Sequence, residues 1–283
     1  MARQRIAELY GRSTGDYGVD WRETIDLALC PYLGRQCLKT RKSEPGITIG
    51  TCSVEHTRIE SPVMICPSRL LQKRRIFADS MHLIASHEPG NDLHLVPEFS
   101  IPGGSVDYVL ASVRSDRVVD FVGIELQTLD TSGTVWPERQ RFLVSAGADE
   151  VAASASSKRF GMNWKMTSKT TLLQLHHKLG TFEHVNRRLV LVLQDHLLSY
   201  MRREFRFDHL VSPASAGDSL QIHAYRLVTK GRGHELRLGE RASTDAEGIA
   251  AALDLQAESM IGLEPILAGI ESRLSADTLL ELA

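Results

Sequence analysis

The chain has 283 residues, 42% of them apolar, which is enough for one large core or a core plus a small module, and no apolar run approaches the length of a membrane span. A formal net charge of -2 argues against bulk electrostatic attraction to nucleic acid, so such a partner would have to be held by local basic surface. The opening Met1-Ala-Arg-Gln-Arg-Ile-Ala-Glu8 is charged and lacks the apolar stretch of a secretion signal, so a cytoplasmic, reducing location is expected.

Residues 1 to 29 predict one or two short helices, around Ile6–Leu9 and Trp21–Leu29. All four cysteines, Cys30, Cys37, Cys52 and Cys66, fall in the first quarter of the chain. Their spacing lacks the two-residue knuckle of a zinc ribbon, so four small buried hydrophobes and a tetrathiolate metal site both remain open. A reducing compartment disfavours disulfides, and Gly and Pro punctuate the segment, with Cys30 and Cys66 each preceding proline. Sulfur ligands suit zinc and iron alike, and His56 is either a competing ligand or a surface histidine. Residues 1–67 are thus expected to hold a helical segment and a four-cysteine metal-binding module.

Residues 68–210 are read as the central unit. Ser68 to Ala85 suits one helix capped by Ser68, with Lys73, Arg74 and Arg75 on a solvated face or in contact with phosphate. Strands are expected near 93–99, 105–113 and 118–129. Asp107 and Glu125 lie in the apolar runs of the second and third, where alternation would otherwise bury them. If those strands pair as an antiparallel hairpin through Ser115-Asp116-Arg117, both carboxylates meet on one face, with Gln127 beside Glu125. Such an all-oxygen pair suits a hard cation such as magnesium; a solvated sheet face is the competing reading.

Strand character lapses over residues 130–162, which are rich in Ser, Ala and Gly around Ala152 to Ser157, with a short helix at Pro137 to Leu143. Leu172, Leu175 and Leu179 mark a helix from Ser168, its expected cap, to Leu179. Lys165 and Lys169 at its start are candidate DNA phosphate contacts, while His176 and His177 face solvent. Arg188 to Gln194 reads as a buried strand, followed by a helix carrying Met201, Arg202 and Arg203. Residues 211–283 predict a strand at 219–229, a Gly231-Arg-Gly233 turn and a strand at 234–239. A helix opened by a Thr244/Glu247 capping box and a last helix from Pro265 complete a tail that packs on the core or serves subunit contact.

The set Leu95-Val-Pro-Glu98-Phe-Ser-Ile101, Gly104-Ser-Val-Asp107-Tyr-Val-Leu110 and Val122-Gly-Ile-Glu125-Leu-Gln127 resembles the core of the PD-(D/E)xK nucleases. More narrowly it resembles the NotI-like type II restriction endonucleases, in which glutamine replaces the usual lysine. Met162-Asn163-Trp164-Lys165, leading into Lys169-Thr-Thr-Leu-Leu-Gln174, and the cysteine-bearing region are similar too, so the resemblance spans most of residues 1 to 205. It implies an α/β (α+β) restriction-endonuclease-like core, a mixed sheet flanked by helices, with a small amino-terminal module built on four cysteines. Asp107 and Glu125 would be the magnesium ligands and Gln127 the residue in the lysine position. Glu98 would be the additional upstream acid, with Glu88 in reserve, and Cys30, Cys37, Cys52 and Cys66 would hold one structural iron or zinc. A homodimer cutting double-stranded DNA at a short palindrome, G·C-rich in many relatives, and leaving 5′-phosphate and 3′-hydroxyl ends, is the expected activity. A less specific repair or mobile-element nuclease and a metal-stabilised DNA-binding regulator are the alternatives.

Overall fold

The computed structural model describes residues 5–148, 159–254 and 267–268. Ile6–Leu9 is a strand (β1), not a helix. A four-residue apolar run carries no periodicity long enough to separate the two, and here all four side chains are buried, Ile6 and Leu9 in the core and Glu8 against Arg69. The helix at Trp21–Leu27 (α1) does form, with Asp20 accepting a bond from Glu23 N–H at 3.0 Å as its cap. After two short hairpins, β2 (Thr51–His56) and β3 (Ile59–Met64) join β1 and Arg12–Ser13 in a four-stranded antiparallel sheet. The first 67 residues are therefore mostly strand and turn rather than helical.

The helix expected over Ser68 to Ala85 is broken. A 3-10 segment, Pro67–Arg74, ends where Lys73 and Arg74 take left-handed φ of 55° and 53°, and α2 (Arg75–Ser80) then sets off in a new direction. Long-range bonds hold the kink: the Gln72 amide donates to His234 C=O at 3.2 Å and accepts from Leu236 N–H at 2.6 Å. The basic run is also spoken for in part, since Lys73 and Arg75 each lie 3.6 Å from a Glu235 carboxylate oxygen.

The main sheet is mixed and flanked by helices. Its strands are β4 (Asp92–Ile101), β5 (Gly104–Arg114), β6 (Arg117–Gln127), β7 (Arg188–Gln194), β8 (Leu220–Lys230) and β9 (Gly233–Thr244), and they lie side by side in chain order. β4, β5 and β6 form an antiparallel meander, β6 to β7 and β7 to β8 run parallel, and β9 folds back on β8. The β5–β6 turn puts Ser115 and Asp116 at φ of 48° and 61°, the pair of left-handed residues that a tight hairpin matched to sheet twist requires. Helix α3 (Trp136–Ser145) follows β6, α4 (Trp164–His184) crosses from β6 to β7, and α5 (Asp195–Glu204) crosses from β7 to β8.

Helix α4 begins four residues before the expected cap. Asn163 holds the cap position and Ser168 is buried inside the helix. The helix lies so close to the sheet that a Cβ on Gly123 would collide with Phe182 Cζ, and one on Gly103 would collide with His177 C=O. Leu172, Leu175, Leu179 and Phe182 pack there with Leu189, Leu191 and Leu193 of β7. The same buried cluster takes in Ile6, Leu9 and Val54 from the amino-terminal sheet. Buried Gln194 ties the two sheets together, accepting from Met64 N–H and donating to Pro62 C=O, each at 2.8 Å. Helix α6 (Ala246–Ala252) is capped by Asp245, which accepts from Gly248 N–H at 2.8 Å, so the cap is one residue beyond Thr244. The Ser/Ala-rich stretch 152–157 lies outside the described residues, as does the helix predicted from Pro265 apart from residues 267–268, which are helical. Among those described, no helix is long and apolar enough to cross a membrane.

Candidate active site

Strand register gives the acids their positions. Tyr108 faces Ile124 across β5 and β6, so the next residues along, Asp107 and Glu125, stand opposite each other. On the other side Val106 pairs with Phe99 and Tyr108 with Pro97, which sets Glu98 opposite Asp107. The three acids thus form one row across β4, β5 and β6. The β5–β6 ladder stops at this row, where Leu126 N–H donates to Asp107 Oδ2 at 2.7 Å. Glu98 itself takes a left-handed φ of 49°, a conformation that costs a non-glycine residue about 1–3 kcal/mol and that clusters at working sites.

A fourth residue completes the group. Lys178, from α4, places Nζ 2.7 Å from Glu125 Oε1, and both side chains are largely withdrawn from solvent. Burial pushes the Glu125 carboxyl up to about 7, against the Lys178 bond that lowers it and with Asp107 adding to the rise. Asp107 is likewise raised by burial and by the charge of Glu98, with Leu126 N–H and Lys178 pulling the other way. The row therefore carries more negative charge than one lysine balances, and a bound cation would relieve it. Sequence reasoning missed Lys178. The signal was present: positions 171, 172, 175, 178, 179 and 182 form the buried stripe of α4, and a lysine sits within it.

The other candidates fall in different places. Gln127, half-buried, is on Glu125's side of the strand by alternation and donates its amide N–H to Thr128 C=O at 2.6 Å. Glu88 does not join the row, for it pairs with Arg114 at the far end of β5, 3.2 Å away. Lys165 and Lys169 are exposed on the first turns of α4.

Cys30, Cys37, Cys52 and Cys66 all line one cavity of about 300 Å³ at one end of the amino-terminal sheet. Burial raises the thiol pKa of Cys30 and, far more, of Cys52, and the neighbouring cysteines add to both rises. His56 lies outside this cavity, edge-on to Trp164 at 6.2 Å.

Among the described residues, no three His, Cys, Asp or Glu side chains already converge in metal-holding geometry. The acids are held instead by Lys178 and by Leu126 N–H, and the thiols face a shared space without closing on it. No known family model matches the chain, and no curated protein matches it significantly.

Proposed function

We propose that the chain is a magnesium-dependent endonuclease of the NotI-like restriction type, acting on double-stranded DNA as a homodimer. The observation that carries this reading is the row Glu98, Asp107 and Glu125 across three adjacent strands, with buried Lys178 bonded to its last member. The order α2, β4, β5, β6, α3, α4, β7, with an antiparallel meander feeding a parallel crossover, supports the PD-(D/E)xK core that the resemblance implies.

The donor set fits the ion. Carboxylate oxygens on a crowded, partly desolvated row suit magnesium, and Asp107 and Glu125 would hold it, with Glu98 as a further ligand. When bound, magnesium supplies a Lewis acid that eases deprotonation of the attacking water and offsets phosphoryl charge. Lys178, exchanged from Glu125 onto the substrate, sets an ammonium beside the phosphoryl oxygens, the charge that glutamine at 127 cannot provide. Gln127 orients the water by hydrogen bonds. Water oxygen gives up a proton to solvent and bonds to phosphorus, the bond to the 3′ oxygen breaks and that oxygen takes a proton from solvent, leaving 5′-phosphate and 3′-hydroxyl ends.

The four cysteines would hold one structural iron or zinc through sulfur, a donor set that favours these ions over magnesium. Dimerisation is part of the proposal because two equivalent cuts in antiparallel strands are most simply made by two sites related by a dyad. Digestion of long DNA with magnesium, followed by sequencing of the ends, tests the reading. Discrete fragments with one shared end sequence support it. A smear favours a repair or mobile-element nuclease, and DNA affinity persisting in EDTA with no cleavage under any divalent ion favours a binding regulator.

A further inference from the structure

Beyond the carboxyl ends of β6 and β7 lies a cavity of about 750 Å³ whose walls are aromatic and basic. Trp164, the first residue of α4, and Tyr200 of α5 have ring centroids 5.6 Å apart and planes inclined by 32°. The Arg203 guanidinium stands 5.2 Å over the Tyr200 ring, and Arg58, His56 and His196 complete the lining, with His196 fixed by a 2.7 Å bond to Ser61 Oγ. Nearby acids are few: Glu204 lies 3.3 Å from Arg203, and Asp195 lies 3.8 Å from His196. Burial, Arg58 and His196 all lower the pKa of His56, which leaves it neutral and able to accept or donate at neutral pH.

This cavity and the acid row share one end of the sheet. β6 leaves the sheet after Gln127, and Thr131, four residues on, pairs with Met162 on the cavity wall. Gln127 is also in register with Leu193, three residues before His196. A strand lying along this end would meet both.

We infer that the cavity binds one unpaired nucleotide of a DNA strand, its base against Trp164 and Tyr200 and its phosphates on Arg58 and Arg203. Flat π-faces with guanidinium groups at the rim are the combination that grips single-stranded nucleic acid without reading its sequence. A cavity of about 750 Å³ has room for a nucleotide. The choice of a DNA strand over a free nucleotide rests on the endonuclease reading, but the binding itself needs neither the acids nor a divalent ion.

The test is therefore run on the full chain without added magnesium and without chelator, where nothing is cut and an ion held by the cysteines is not stripped. Tryptophan fluorescence is followed during titration with a 5′-phosphorylated single-stranded oligonucleotide, a blunt duplex, a deoxynucleoside monophosphate and inorganic phosphate. We expect quenching by the single strand that disappears in Trp164→Phe, and affinity weakened about tenfold or more in Tyr200→Ala and Arg203→Gln but retained in Tyr200→Phe. Thermal melting checks that each variant folds, and Tyr200→Phe keeps the result readable if Tyr200→Ala does not fold. Quenching that survives Trp164→Phe, unchanged affinity in folded Tyr200→Ala and Arg203→Gln, or binding of the blunt duplex alone would overturn the site. Equal affinity for the monophosphate would overturn the strand as its ligand. Single-strand binding without nuclease activity would sink the cleavage reading and leave this site standing.

Discussion

Lys178 Nζ and Glu125 Oε1 are 2.7 Å apart although the two residues sit on different elements, a helix and the strand beneath it. The lysine brings to the acid row a positive charge that the strand, with glutamine at 127, does not supply. Removing it as Lys178→Met should lower the cleavage rate by about a hundredfold with little change in DNA affinity. Adding Gln127→Lys in that background should restore part of the rate, since the charge then comes from the strand. Single-turnover kinetics with saturating enzyme measures both, and a wild-type rate in the single variant removes Lys178 from the site.

Magnesium affinity should fall as the medium is acidified. Glu125 has a folded pKa of about 7 against an ordinary 4.5, so in the ion-free protein its contribution to stability is present below about 4.5 and is lost as pH rises through about 7. Magnesium binds the ionised carboxylate and must displace a proton below pH 7, losing up to about tenfold in affinity per pH unit. Melting temperatures with and without magnesium should therefore diverge as pH rises from about 5.5 to 8. A magnesium effect that is flat over that range contradicts the assignment of Glu125 as ligand.

Gly123→Ala should disturb the site without touching an acid. The new methyl would press on the buried Phe182 ring and lift α4, the helix that carries Lys178. We expect a loss of about 1–3 kcal/mol in chemical denaturation, together with reduced cleavage. Full activity in the variant would show that helix placement is not critical.

The Glu8–Arg69 pair is 2.8 Å apart and almost fully buried, with Ser53 Oγ donating to the same carboxylate. Burial works to raise the Glu8 pKa, and His234, Arg69 and Ser53 more than offset it, so the net pKa is lowered. Its stabilisation is thus present above about pH 4.5 and lost as pH falls through the lowered folded value. Arg69→Met alone should cost about 3–5 kcal/mol by leaving a buried charge unpaired, and the double variant with Glu8→Gln should recover much of it. Denaturant titrations near neutral pH decide this; equal stability of the single and double variants goes against it.

Purified protein should carry about one zinc or iron per chain, and Cys52→Ser should reduce that content. Because the thiols of Cys30 and Cys52 are raised by burial, ion uptake must release protons and weaken in acid. Elemental analysis reads the stoichiometry. Metal-free protein that stays folded in chelator would dispose of the site.

The meander is legible in the sequence because its strands are runs rich in β-branched and aromatic residues and Ser115-Asp116 closes a short turn, which is why Asp107 and Glu125 can be matched across it from spacing. β7 is legible as an unbroken apolar run. Where reading fails, the deciding contact is distant or the pattern too short. Nothing near Lys73 announces a kink held by His234 and Leu236 some 160 residues on. Ile6–Leu9 offers too few residues to set a period. Lys178 escapes notice because an isolated lysine on a helix normally marks solvent, and only its place within the stripe of Leu175 and Leu179 says otherwise.

On the proposed reading, that lysine's seat on a crossing helix means position 127 need supply no charge. A spatial quartet of three acids and an ammonium is assembled without a lysine on the strand, because the sheet and α4 each contribute one part of it. Drift in the angle between that helix and the sheet would then tune the charge felt by a phosphate without altering a single strand residue.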